Sequence, residues 1–128
     1  MSKMLLSREA LLAKEKLEIV KVDLGNDEYV FVRQMTGRER DAFEASLVEV
    51  QESAIPGGKP IVSQRTEDFR AKLAVHTVCD ESGELLLEAG DYETLSTNIS
   101  ARRLEAIVNV AEGLNRISAT DRDNLLKN

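Results

Sequence analysis

His76 and Cys79 are the chain's single histidine and single cysteine, and they stand three positions apart. On a helix that spacing turns both side chains toward one face. A thiol beside an imidazole is the pair used in Cys–His nucleophilic catalysis, and it is also half of a zinc site. Neither chemistry completes itself here. Zinc takes three or four ligands, and the chain has no further His or Cys. Catalysis needs a group to orient the imidazole and donors for an oxyanion, and the surrounding residues supply neither. Phe69, Leu73 and His76 follow i, i+4, i+7 spacing, flanked by Val75 and Val78. That pattern predicts a core helix carrying a buried, hydrogen-bonded histidine.

Two other stretches invite a chemical reading and fail it. Gly57-Gly58 is not followed by Lys-Ser/Thr and opens no helix, so it cannot cradle phosphate as a P-loop does. Asp80-Glu81-Ser82-Gly83-Glu84 lacks the alternating ligands and the acidic twelfth position of a calcium loop, and reads as a polar turn. The residues therefore predict no enzyme, and no catalytic residue, cofactor or metal ligand is assigned.

Composition narrows the remaining classes. The 128 residues are 42% hydrophobic and 31% charged, the balance of one ordinary globular domain. The net charge of −6 and a pI near 4.9 run against a nucleic-acid binder, which needs a basic face for phosphates. Aromatic residues are only 4%, too few for base-stacking platforms. Arg33, Arg38 and Arg40 could still form a local basic patch on an acidic protein. A single cysteine permits no internal disulfide, which suits a reducing compartment. The opening residues form no secretory signal and no window has the apolar length of a membrane span, so a cytoplasmic protein is expected.

The elements that must position these residues are legible from periodicity. Ser7 begins a helix with Leu6, Ala10, Ala13 and Leu17 on one stripe, widened by Leu5 and Leu12. That stripe docks either on its own domain or on a neighbouring subunit. Residues 17–24 alternate as a strand, Gly25-Asn26-Asp27 offers turn residues tolerant of positive φ, and Tyr29–Arg33 alternates again, a β-hairpin. Thr36 with Glu39 has capping-box spacing and starts a helix expected to reach about Glu52, with Phe43, Leu47, Val48 and Val50 apolar. Residues 53–65 hold both prolines and two adjacent glycines, the residue types of a flexible loop, which is what is expected there. Leu85-Leu86-Leu87 reads as a short buried run and Asp91–Thr97 as a short helix. Ser100 opens the clearest helix, with Leu104, Ile107, Val108, Ala111 and Leu114 inward and Arg102, Arg103 and Glu112 outward. Gly113 and Asn115 mark its end, and Ser118 with Asp121 caps a last short helix reaching Lys127-Asn128. The expected fold is mainly α within the α+β class: one small domain over 1–128, several helices, a short N-terminal β-hairpin.

Three of these segments resemble a known family. Val30-Phe31-Val32-Arg33-Gln34-Met35-Thr36-Gly37-Arg38-Glu39-Arg40-Asp41 is similar to the strand-to-helix junction of the tail assembly chaperones of long, noncontractile-tailed (lambda-like siphovirus) phages. Ala74-Val75-His76-Thr77-Val78-Cys79-Asp80-Glu81-Ser82-Gly83-Glu84-Leu85 and Ala111-Glu112-Gly113-Leu114-Asn115-Arg116-Ile117 extend the likeness over nearly the whole chain. The resemblance implies a host-cytoplasmic protein that coats the tape measure protein, keeps it soluble, recruits tail tube subunits and is absent from the finished virion. It implies self-association as a spiral or ring, and no nucleic acid or membrane partner. It also implies a minor, C-terminally extended form made by ribosomal frameshifting, through which the tail tube protein is met; Lys127-Asn128 is compatible with a slippery adenine-rich codon run. The family carries no catalytic residues. Candidate client contacts are Leu5, Leu6 and Leu12 in the first helix and Phe43, Leu47 and Val50 in the capped one, each weighed against plain core packing. The alternative reading is a structural head–tail connector or tail-completion protein that stays in the particle.

Overall fold

The computed structural model describes residues 3–51, 56–59, 61–64, 68–118 and 120–121; over 49–51 and 61–64 it describes the backbone alone. The elements run α1 (Arg8–Leu12), β1 (Ile19–Gly25), β2 (Glu28–Arg33), α2 (Gly37–Ala45), β3 (Val48–Gln51), β4 (Ile61–Gln64), α3 (Phe69–Val75), β5 (Val78–Cys79), a 3-10 turn (Ala89–Asp91), α4 (Tyr92–Asn98) and α5 (Ala101–Leu114). The class is α+β, with the β-hairpin at the N-terminal side as expected.

β1 and β2 pair antiparallel, Val20 opposite Val32 and Val22 opposite Val30. Asn26 and Asp27 both take positive φ, 54° and 59°, the pair of left-handed residues that a twist-matched two-residue turn requires. The period-2 alternation sends Val22, Leu24 and Val32 inward. On the opposite face the Lys21 ammonium sits 4.1 Å from the Tyr29 ring centroid, and Tyr29 meets Phe31 edge to face. β5 extends the sheet on the far side of β2, Phe31 opposite Cys79 and Val32 opposite Val78.

The core lies between this sheet and the helices. Six of the seven residues of α3 are buried, and the seventh, Arg70, reaches Glu105 of α5 at 2.6 Å. Phe43 of α2 is fully buried and meets the Phe69 ring edge-on at 5.6 Å between centroids. From α5 come Leu104, Ile107, Val108 and Ala111, the stripe its periodicity predicts. Arg103 departs from expectation. It does not turn to water: its guanidinium donates to the carbonyls of Leu24 and Gly25 and pairs with Glu28, tying α5 to the hairpin turn. A long cationic side chain can cover apolar surface and still satisfy strand-end carbonyls.

Four further expectations need correction. The first helix spans only Arg8–Leu12, with Ala13 extended at ψ 152°, so Leu17 is not on it. α2 stops at Ala45 rather than near Glu52. Ser46 Oγ turns back to the Phe43 carbonyl, the buried Lys72 ammonium takes the Ser46 carbonyl at 2.9 Å, and the alternating Val48–Gln51 stretch pairs as β3. The partner is β4, so Ile61–Gln64, expected within a loop, is a strand. Leu86 is 57% exposed, because the chain beyond β5 runs along Val78 with alternate side chains outward. The helix expected beyond Ser118 lies mostly outside the described residues, though Ser118 and Asp121 do form the cap hydrogen bonds.

The end of α5 shows an inversion of residue types. Ile117 N–H donates to the Glu112 carbonyl and Arg116 N–H to that of Gly113, the paired bonds of a Schellman cap. The left-handed residue of that cap is Arg116, φ 53°, whereas Gly113 occupies an ordinary helical turn with open space where a Cβ would stand. Glycine costs roughly 0.5–1 kcal/mol inside a helix and is the residue best suited to the left-handed position. Gly113→Ala and Arg116→Gly are each expected to stabilise the fold by roughly 0.5–1 kcal/mol, and additively. Urea unfolding of the two single variants and the double measures this; a double variant no more stable than the parent would refute it.

Candidate interaction surface and buried polar node

The His76–Cys79 pair dissolves on inspection. The expected single helix ends at Val75; His76 is its cap, and Cys79 lies on β5. His76 Nδ1 bonds the Lys72 carbonyl at 2.8 Å and its ring stands edge-on to Phe43. Thr77 Oγ1 donates to the Leu73 carbonyl, closing the helix so that the chain can turn into the sheet. Burial pushes the Cys79 thiol up, partly opposed by the charge of Arg33, so it stays a neutral thiol rather than a nucleophile at physiological pH. Among the described residues no three His, Cys, Asp or Glu side chains converge to hold a metal ion.

The polar chemistry is concentrated elsewhere, at the β2–α2 junction. Arg33 is buried and grips Glu39 through two parallel bonds of 2.8 and 2.7 Å, with a third to the Gln34 carbonyl. The same Glu39 carboxylate accepts from the Thr36 N–H at 2.8 Å, while Thr36 Oγ1 accepts from the Glu39 N–H, completing the capping box. The Arg33 guanidinium, opposed by burial and helped by the Thr36 amide, holds the Glu39 carboxyl down to about 2. Arg40 pairs with Glu44 and donates to the Asn115 carbonyl. A basic patch around Arg33, Arg38 and Arg40 therefore does not form: Arg33 and Arg40 are spent on internal partners, and Arg38 alone of the three is exposed.

Asn115 closes the node from the other end of the chain. Its Oδ1 accepts from the Met35 N–H at 2.7 Å and its Nδ2 donates to the Ala111 carbonyl at 2.9 Å. Arg33 N–H donates to the Thr77 carbonyl. The three segments that carry the resemblance thus meet at one point, although 80 positions separate Met35 from Asn115. Sequence periodicity gives Asn115 only as a helix end; nothing in its local pattern names Met35 as its partner.

Of the candidate client contacts, Phe43 and Leu47 are buried in the core and are unavailable to a partner: Phe43 of α2 packs on Phe69 of α3, and Leu47 lies just beyond the end of α2. Val50 lies on β3, its side chain outside the described residues. Leu5, Leu6 and Leu12 are exposed, and with them Met4 and Leu11, which the stripe reading passed over. No residue of α1 is buried. The arm joins the body where Glu18 and Gln34 exchange hydrogen bonds at the start of β1. Beside its stem runs an open groove of about 570 Å³ lined by Lys14, Leu17, Met35, Arg40, Leu114 and Arg116 among others.

Among the described residues no helix is long and apolar enough to cross a membrane. The chain matches no family model, no curated protein and no solved structure.

Proposed function

We propose that this protein is a tail assembly chaperone of a long-tailed phage, acting stoichiometrically on a tape measure protein. In this reading it shields apolar stripes of that long helical client in the host cytoplasm, brings tail tube subunits to it through a longer form, and leaves before the virion is complete. It makes and breaks no covalent bond. The observation that carries the reading is the arm: five large apolar side chains, Leu5 at 96% exposure, stand on an acidic domain whose own core is closed without them. Contiguous apolar surface of that kind on a soluble chain marks a docking site. The junction of the three resembling segments at Arg33, Met35 and Asn115 supports the same reading, since it gives those residues a shared structural purpose.

Co-expression with the tape measure protein tests it. The client is expected in the soluble fraction and bound to this chain; equal solubility in its absence would overturn the proposal. Mass spectrometry of purified virions separates the alternative, since a connector or completion protein is present there and a chaperone absent.

A further inference from the structure

We infer that the outer edge of β1 is a second docking surface, which takes an extended, acidic segment of a partner protein as an added antiparallel strand. This surface is separate from the arm and stands whether or not the chaperone reading does. The sheet order is β1-β2-β5, so among the described residues β1 has a strand on one side only. Two hydrogen bonds fix which of its backbone groups are left open. The Gln34 N–H donates to the Glu18 carbonyl, whereas the Arg33 N–H turns the other way, to Thr77. Antiparallel ladders alternate, so with Val20 opposite Val32 and Val22 opposite Val30, it is Val20 and Val22 that bond β2. Ile19, Lys21 and Asp23 aim their N–H and C=O groups outward, and no described residue answers those six groups. The open stretch has a stop at each end: Glu18 is closed off by Gln34, and Arg103 occupies the carbonyls of Leu24 and Gly25. Only an extended chain repeats donors and acceptors at two-residue spacing, so the occupant is a strand.

Side chains then set what kind of strand fits. Directly opposed residues share a face, so partner residues across from Val22 and Leu24 point toward the helices, as those two buried residues do. At that end a pocket of about 280 Å³ lies between Leu24 of β1 and Ala106 of α5, with room for one apolar side chain. Residues across from Lys21 and Asp23, both exposed, stay in water. Arg102 stands at the mouth of the pocket, its Nη2 3.5 Å from where a Cβ on Gly25 would be. It is exposed, and no described residue pairs with it. The other charges there are turned to partners: Arg103 pairs with Glu28, and the Asp23 carboxylate accepts from the Gly25 N–H. Lys21 has only the Tyr29 ring beside its ammonium. A carboxylate across from Gly25 therefore meets Arg102, and a second across from Lys21 meets that ammonium, which fixes the register of an incoming strand.

Amide hydrogen exchange followed by NMR on the full chain tests this. In the protein alone the amides of Ile19, Lys21 and Asp23 are expected to exchange freely, while those of Val20 and Val22 are protected. The probe is the end-blocked hexapeptide Glu-Val-Thr-Val-Glu-Val, its first residue meant to lie across from Gly25 and its fifth across from Lys21. Saturating peptide is expected to slow exchange of the three outward amides by about tenfold or more, because they become ladder donors. N-methylation of the fifth peptide residue, whose N–H would face β1, is expected to abolish binding. N-methylation of the fourth, whose N–H would face away, is expected to be tolerated. Arg102→Glu, at an exposed position where circular dichroism melting confirms the fold, is expected to weaken the peptide about tenfold, the worth of one charge-assisted hydrogen bond. Outward amides protected in the protein alone, no protection with peptide, equal loss with both methylated peptides, or unchanged affinity in Arg102→Glu overturns the inference. Protection that grows with protein concentration in the absence of peptide assigns the edge to a second copy and overturns it as well.

Discussion

Glu39→Gln is expected to destabilise the protein by about 3 kcal/mol, because it leaves the Arg33 guanidinium buried without its counter-charge. The amide still accepts from the Thr36 N–H, so the helix cap survives and the loss reports the ion pair rather than the cap. Replacing both partners, as in Arg33→Met/Glu39→Gln, is expected to cost clearly less than the two single changes added together. A buried charge with no partner is worse than no charge at all. Urea denaturation of the cycle measures the coupling, and additive losses would show that the pair acts as two independent side chains.

The pH dependence has a definite sign. Glu39 titrates near 4.5 when unfolded and about 2 when folded. Its folded value is depressed, so its contribution to stability is fully present above about pH 4.5 and is lost as pH falls toward 2. Glu39→Gln should therefore flatten the acid limb of the stability curve in that window. A variant whose acid sensitivity matches the parent would show that other carboxylates govern it.

Asn115→Ala is expected to cost about 2–3 kcal/mol, although the residue is only half-buried and sits at a helix end. The change strips the Met35 N–H of its acceptor in a buried setting and releases the donor that holds the Ala111 carbonyl. Truncating an ordinary surface side chain costs within about 0.5 kcal/mol, so the two roles are easily told apart. Native-state hydrogen exchange supplies a local readout: the Met35 amide should lose protection more than the amides of β1. Unchanged protection at Met35 would mean that the 2.7 Å bond contributes nothing.

How much of this was legible in the residues divides by distance along the chain. The capping boxes, the Asn26-Asp27 turn and the inward stripe of α5 are satisfied within a few positions, and each appears where the pattern places it. The helix through Phe69, Leu73 and His76 forms, but its end could not be read locally, since hydrophobic spacing is ambiguous where Val78 and Cys79 serve equally as helix or strand. α2 ends early for the same reason: Val48 and Val50 fit a helical stripe until a pairing partner at 61–64 makes them a strand. Leu85-Leu86-Leu87 shows the limit of hydropathy, for Leu87 packs against the core, Leu85 is half-buried and Leu86 is exposed.

The sequence by itself determined the α+β class, the hairpin, the helix starts and the acidic balance, because those follow from propensity, capping and charge that neighbours in the chain settle among themselves. Only the tertiary structure decided that Arg33 is an internal counter-ion rather than part of a basic patch, that Asn115 answers Met35, and that the leucines of the arm face outward while Phe43 and Leu47 do not. Each of those outcomes depends on what stands opposite the residue in space. Burial and ion pairing are set by the surroundings that distant segments bring, and identical side chains at identical helical spacing have opposite fates when one helix finds a core and the other finds water.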